Sequence, residues 1–365
     1  MKTLRRVTVF TVAAITSACS EPTGSPLSPD FSIRAAKPAP PPASPITVLA
    51  LGSLPYSGKL PGAPIAMAIN NGASRPDTRV AGYTHYGTTA EYPFTWTLSS
   101  GISPLDVVEN GYSWPFGVSD AGLIVGEFSN GTGNRAFVVT ADGAMSYLPT
   151  PAGTAHAGAS GVSADGTCIS GYISNAQGGF AVLWRNGVLE TVGQGSASDV
   201  TNDCLVVSGS AAGRAAVWRW SGSSWTLVTL PSSGRGILLR SGARIYSEGT
   251  DISPYGEYVS GRRVDSTTSY AVVWHRVDGE WIPSDMPGKT IYAFGVDNTG
   301  RAVGHNTSGE PMLWTRSPSG SYSGQRLPSL GRSTQGWPAA INELGQVVGR
   351  SRSQAGWQPV MWTVN

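Results

Sequence analysis

Charge, histidine and cysteine are scarce in this 365-residue chain: 13% of residues are charged, four are histidine and three are cysteine. So few soft ligands exclude a metal-cluster protein. A formal net charge of +2 leaves no basic surface for a nucleic-acid partner, and none is expected. No apolar run reaches the ~20 residues that a membrane-spanning helix needs. His85, His156, His275 and His305 are far apart, without metalloprotease spacing, and no GxSxG elbow occurs. No catalytic, metal or cofactor-binding residue is therefore assigned, and a non-enzyme is expected. Glycine and proline, by contrast, supply 47 and 26 residues, a fifth of the chain. The average chain has about 12%. Aromatic residues at 9% provide a core to bury, which excludes global disorder. Glycine, aromatics and low charge together predict many short strands joined by tight turns.

Lys2, Arg5 and Arg6 precede a short apolar stretch, Val7 to Ile15, and the small residues Ser17 and Ala18 precede Cys19. Residues 1–18 read as an export signal. Thr16-Ser17-Ala18-Cys19 resembles the lipobox of bacterial lipoproteins, in which the cysteine becomes an acylated N-terminus. The resemblance implies lipidation of Cys19 and a membrane as partner, each buried methylene contributing about 0.8 kcal/mol. Ser20, in place of an aspartate, implies the outer membrane, with plain secretion as the alternative. Cleavage takes three of the 25 positive charges and leaves 22 against 23 negative ones. Eight prolines follow in residues 20–45, so 19–45 is expected to be an extended tether. At ~3.1 Å per residue it would reach roughly 80 Å.

From residue 66 onward one pattern recurs seven times: a short apolar strand, a polar turn ending in glycine, a β-branched run to a second glycine, then an apolar run usually ending in tryptophan. SGVSADGTCISGY leads to FAVLW at Trp184, TDISPYGEYVSGR to YAVVW at Trp274, and AAINELGQVVGRS to PVMW at Trp362. The other copies run from AMAINNG to Trp96, FGVSDAGLIVGEF to Val139, SDVTNDCLVVSGS to Trp218 and FGVDNTGRAVGH to Trp314. Trp96 to Trp362 gives a mean period of about 44 residues, that of propeller blades with four strands each. Asn70, Ser119, Ser163, Thr201, Ser253, Asp297 and Asn342 open the turns, where a short side chain can bond nearby amides. The second glycines, such as Gly171 and Gly304, are expected to admit a neighbouring sheet, with the tryptophans filling the space between sheets. One more strand follows each of the first six copies, and the seventh lacks it. ITVLALGSLP at 46–55 supplies it, so the expected fold is an all-β, seven-bladed propeller over 46–365, closed by that N-terminal strand on the last blade.

The pattern A-I-N-x-x-G-x-V-V-G followed by A-F-x-W resembles the HAF-type extracellular repeat, with Arg135-Ala136-Phe137 and Phe180-Ala181-Val182 keeping part of its namesake tripeptide. Departures are Val139 in place of tryptophan and Cys204 in place of the turn glycine. Between copies, Trp114, His156, Tyr246, Tyr292 and Trp337 are expected around the channel mouth, where aromatic rings suit a glycan or protein ligand. Arg240, Arg244 and Arg332 would add donors. Alternatively, Trp114 and Trp337, each followed by proline, pack beneath their own loops. Asp199, Asp251 and Asp297 lie near the inner strands, so the competing reading is a glycoside hydrolase or lyase using channel-mouth carboxylates. Cys168 and Cys204 lie in neighbouring hairpins, two residues apart in repeat register: they are either bridged or two small packed residues. The expected product is a monomeric binding or scaffold protein of the cell envelope.

Overall fold

A computed structural model describes residues 46–54, 63–85, 91–106, 111–232, 245–265 and 268–364. Cys19, the export signal and most of the tether lie outside the described residues. Among the described residues the chain is all-β: 28 strands, a single 3-10 turn at Arg75–Asp77 and no α-helix. None of their helices is long and apolar enough to cross a membrane.

The strands form antiparallel meanders in register with the sequence copies. Four sheets have four strands each, and the first three copies join into a twelve-stranded sheet. The joints are single parallel pairs, Glu91 with Tyr112 and Asn134 with His156. Thr47–Ala50 pairs antiparallel with Gly356–Thr363, the strand that carries Trp362. The backbone N–H of Leu51 donates to the Pro359 carbonyl at 2.9 Å, extending this pairing. The missing fourth strand of the last copy is thus supplied from the N-terminal side, in a sheet ordered 47–50, 356–363, 346–353 and 336–341.

Turn chemistry follows the repeat. Each turn-opening side chain accepts a backbone N–H across its own turn: Asn70 from Arg79, Ser119 from Leu123, Ser163 from Cys168 and Thr201 from Val206. Ser253, Asp297 and Asn342 do the same for Tyr258, Arg301 and Gln346. Cys204 holds the position of the turn glycine and keeps its left-handed backbone, with φ of 61°.

The second glycines do something other than expected. Their near neighbour is the first strand of the same sheet rather than another sheet. A Cβ at Gly171 would sit 2.0 Å from the Gly158 carbonyl oxygen, and one at Gly304 1.9 Å from that of Tyr292. Opposite both glycines the first strand is bulged, between Ala159 and Gly161 and between Ala293 and Gly295. Each of those carbonyls belongs to the residue just before the glycine's register partner, and only a residue without Cβ accommodates it there.

Tryptophan fills the gaps between sheets. Trp184, Trp274, Trp314 and Trp362 are fully buried. Three of them also reach the preceding copy with their polar atom: Nε1 of Trp184 donates to the Pro149 carbonyl at 2.8 Å, Trp274 to Pro231 at 2.7 Å and Trp362 to Pro328 at 2.6 Å. Each of these three rings thus buries a large apolar face and satisfies its one donor, whereas Nε1 of Trp314 is buried without a partner. Core clusters accordingly mix adjacent copies, Leu313 and Leu327 with Val347 and Trp362 for example. Another joins Leu51 and Leu54 to Val80, Phe94 and Trp96 of the first copy and Val348 and Met361 of the last.

Candidate functional site: a channel and its mouth

The first strands of all seven copies line one cavity of about 740 Å³. Met67, Phe116, Ser160, Ser198, Thr250, Phe294 and Ala339, the bulged positions, all belong to its wall.

At one end of the cavity the turns are tied copy to copy. Gly72 N–H donates to Asp120 Oδ1 (2.7 Å), Ala121 to the Ala164 carbonyl (3.1 Å), and Ala164 to Asn202 Oδ1 (2.9 Å). Asn202 donates to the Pro254 carbonyl (3.0 Å), Tyr255 to Asn298 Oδ1 (3.0 Å), and Asn298 to Glu343 Oε1 (2.9 Å). Glu343 N–H then donates to Asn71 Oδ1 at 3.0 Å, linking the last copy to the first.

Deeper in, Asp199 and Asp251 meet. Both are enclosed, their side chains bond each other, and the N–H groups of Val200, Ile252 and Val296 point at their oxygens. Burial, then mutual repulsion, holds the Asp199 carboxyl well above its usual range, and burial also raises Asp251. Like charges this close cannot both ionise cheaply, so the pair keeps a proton. Asp297 is not part of it: it braces its own turn, taking Thr299 N–H at 2.9 Å and an ion pair from Arg301. The signal for the pair was present in the repeat. The residue before the Val/Ile of each turn is Ala68, Gly117, Gly161, Gly295 or Ala340 in the other copies, and a Cβ at Gly161 would fall 2.0 Å from Asp199 Oδ1.

The pair predicts an unusual pH dependence. A carboxyl whose folded value is raised stabilises fully below the ordinary carboxylate range and loses that contribution as pH rises through the folded value. Glu91, pushed up to about 7 by burial, and Glu127 and Glu343, raised by the same cause, act in the same direction. Asp199→Asn preserves a neutral donor to Asp251, so it should match wild type near pH 5 and melt higher at pH 8. About 1.4 kcal/mol per pH unit of displacement corresponds to roughly 2–4 °C. Thermal melts from pH 5 to 8 check this; a wild-type curve flat in that interval, with Asp199→Asn lower throughout, contradicts it.

The opposite end is the mouth. Here the residue after each second glycine pairs with one from the first strand: Tyr83 with Ile65, Glu127 with Trp114, Tyr172 with Gly158, Arg262 with Glu248, His305 with Tyr292 and Arg350 with Trp337. On one side they form a continuous arc. Arg262 is bonded to Glu248 at 3.0 Å and lies over the Tyr292 ring at 4.8 Å. Tyr292 stacks on Phe294 at 4.4 Å, Phe294 approaches Trp337 at 5.2 Å, and His305 packs on Trp337 at 4.4 Å. Arg350 closes the arc over Trp337 and Trp357, at 5.5 and 4.7 Å. On another side Glu127, its pKa raised by burial, accepts Tyr172 Oη–H at 2.9 Å and the Asn134 amide. The Tyr172 hydroxyl is in turn pushed up to about 12 by burial.

Of the expected mouth residues, Trp337 lines the cavity, Tyr292 belongs to its arc, and Trp114 takes the equivalent position, stacked on Tyr112 at 5.8 Å. His156 is exposed at the start of its strand, opposite Ser174 and paired with Asn134, outside the cavity wall, and its charge acts on Glu127. The side chain of Tyr246 lies outside the described residues, as do Arg240 and Arg244. Arg332 is exposed, and the mouth's arginines are Arg262 and Arg350 instead. Cys168 and Cys204 are bridged, their Cα atoms 6.0 Å apart. The two-residue difference in register is absorbed because the turn of the fourth copy lies against the second strand of the third, with Thr167 Oγ1 beside both sulfurs. Among the described residues no three His, Cys, Asp or Glu side chains group so as to hold a metal ion.

Solved structures of known proteins share this architecture. An oligogalacturonate lyase in complex with manganese superposes with a TM-score of 0.57 at 10% identity, over 88% of this chain and 97% of that one. The fold is a β-propeller. A second oligogalacturonate lyase, from Vibrio parahaemolyticus, gives 0.56 at 10% identity, covering 87% and 93%. TolB from Acinetobacter baumannii gives 0.46 at 12% identity over 75% of this chain, which spans 65% of TolB's length. No family model matches the propeller's sequence, and no curated protein does.

Proposed function

We propose that the seven copies are the blades of one closed ring, and that this ring is a non-catalytic binding protein of the cell envelope with a glycan as ligand. Closure is supported by the pairing of Thr47–Ala50 with the last strand, by the Glu343–Asn71 link between last and first turns, and by the cavity wall drawn from every copy. Export and anchoring through Cys19 rest on the likeness of Thr16-Ser17-Ala18-Cys19 to a lipobox, and the repeat type on its likeness to the HAF pattern. The binding reading is carried by a single feature, the aromatic arc Tyr292–Phe294–Trp337 at the mouth, flanked by arginines. Half-buried aromatic faces beside fixed donors stack on sugar rings and orient their hydroxyls.

A glycan array followed by calorimetry tests it. Trp337→Ala should weaken binding at least tenfold, and Trp114→Ala, across the mouth and outside the arc, by about threefold or less, since a lost stacking face is worth about 1–2 kcal/mol. Equal affinity in wild type and Trp337→Ala would remove the arc from the site. The enzyme reading retains one supporting observation, the Asp199–Asp251 pair inside the cavity. Its oxygens are occupied by backbone N–H groups, which suits a structural latch better than a proton donor to substrate. Turnover of any glycan that disappears in Asp199→Asn would reverse that preference.

A further inference from the structure

We propose that Arg350 is an anchor for a carboxylate and that the ligand of the mouth is an acidic saccharide, a glycan containing uronic acid. This rests on the saccharide reading above and adds the charge that selects among saccharides. Arg262 is neutralised by Glu248 at 3.0 Å, Arg263 by Asp285 at 2.6 Å, Arg301 by Asp297, and Arg326 by Glu310 at 3.0 Å. Arg350 differs. It lines the cavity, and among the described residues no carboxylate pairs with it. Its Nε is buried with no hydrogen-bond partner.

The surroundings hold that guanidinium in place without discharging it. It lies over the faces of both Trp337 and Trp357. Its charge is felt by Tyr83 and by His305, whose pKa is lowered by burial and by Arg350. The charge of Glu91 also acts on Tyr83. A partly desolvated guanidinium with an unused donor is matched by a planar carboxylate, which takes two parallel N–H bonds. The hydrophobic faces of Trp337 and Phe294 next to it suit the ring bearing that carboxylate. A peptide side-chain carboxylate would use Arg350 but leave the aromatic ledge without a ring to cover it.

Calorimetry on the full chain with 1,4-linked trimannuronate, 1,4-linked mannotriose and a capped triglutamate peptide tests this. Wild type should bind trimannuronate at least tenfold more tightly than either other probe, with affinity falling as salt rises. Arg350→Met, which keeps the packed stem, should bind the two sugars equally; Arg350→Lys should retain a weaker preference for the acidic one. Near-ultraviolet circular dichroism of each variant, matching wild type, confirms that the fold is intact. Equal binding of both sugars by wild type, or a preference that survives in Arg350→Met, overturns the carboxylate anchor while leaving saccharide binding in place. Tighter binding of the peptide than of either sugar overturns both readings, and so does binding of none of the three.

Discussion

A chain lacking residues 46–54 should melt about 10 °C or more below wild type. Leu51 and Leu54 are 4% and 8% exposed, in a cluster that spans the first copy and the last. Fully burying a leucine is worth about 1.5–3 kcal/mol, so these two side chains contribute roughly 3–6 kcal/mol. At about 1.5 °C per kcal/mol for a domain of this size, these side chains alone account for about 5–9 °C, and the lost strand pairing adds to it. Deletion also strips Gly356–Thr363 of its outer partner and exposes an unpaired edge, which invites association with other chains. Leu51→Ala/Leu54→Ala keeps the backbone ladder and should lose about half as much. Differential scanning calorimetry with light scattering reads both effects. A deletion variant that melts with wild type would show that the strand is an ornament of the last sheet rather than its completion.

Removing the Cys168–Cys204 bridge has the second largest expected effect. The bridge closes a 36-residue separation and joins the third and fourth copies. Constraining a loop of that length in the unfolded chain is worth about 3–4 kcal/mol by the chain-entropy account. Cys168→Ser/Cys204→Ser should therefore melt roughly 4–6 °C lower. Cys204→Gly separates two roles at one position. Glycine accepts the φ of 61° that Cys204 adopts, so this variant should lose the bridge and regain about 1 kcal/mol of turn strain. Its melting point should fall between wild type and the double serine variant. Wild type in excess reductant should behave as the double serine variant does; no shift on reduction would mean that the bridge contributes nothing to the folded state's advantage.

Much of the fold could be read from periodicity alone, because each strand and turn is decided locally. The turn openers Asn70, Ser163 and Asn342 bond amides within four to nine residues of themselves, so their chemistry is visible in a short window. The tryptophans were legible as gap fillers for the same reason: their repeat spacing is a direct record of sheet spacing. The glycine at 171 was legible as a close approach but was attributed to the wrong neighbour, since a bulge at Ser160 leaves no mark in the sequence of its partner strand. The mouth was half legible. Aromatics between copies stood out, whereas Arg262, His305 and Arg350, one residue past each second glycine, read as ordinary repeat ends until strand alternation turned them to the opposite side from the glycine.

The repeat unit, its turns, its edges and the need for a strand from residues 46–54 follow from the order of residues, since they depend on hydrogen bonds and steric limits inside about forty residues. Which residues meet across copies does not follow from it. Asp199 reaches Asp251, Cys168 reaches Cys204 and Trp337 reaches Phe294 and His305 only when sheets lie side by side, and those distances are set by how bulged first strands and buried tryptophans pack. Local interactions are encoded one window at a time, whereas a cavity belongs to all seven first strands at once. Its buried carboxyl pair and the guanidinium of Arg350, which no carboxylate pairs among the described residues, emerge from that assembly.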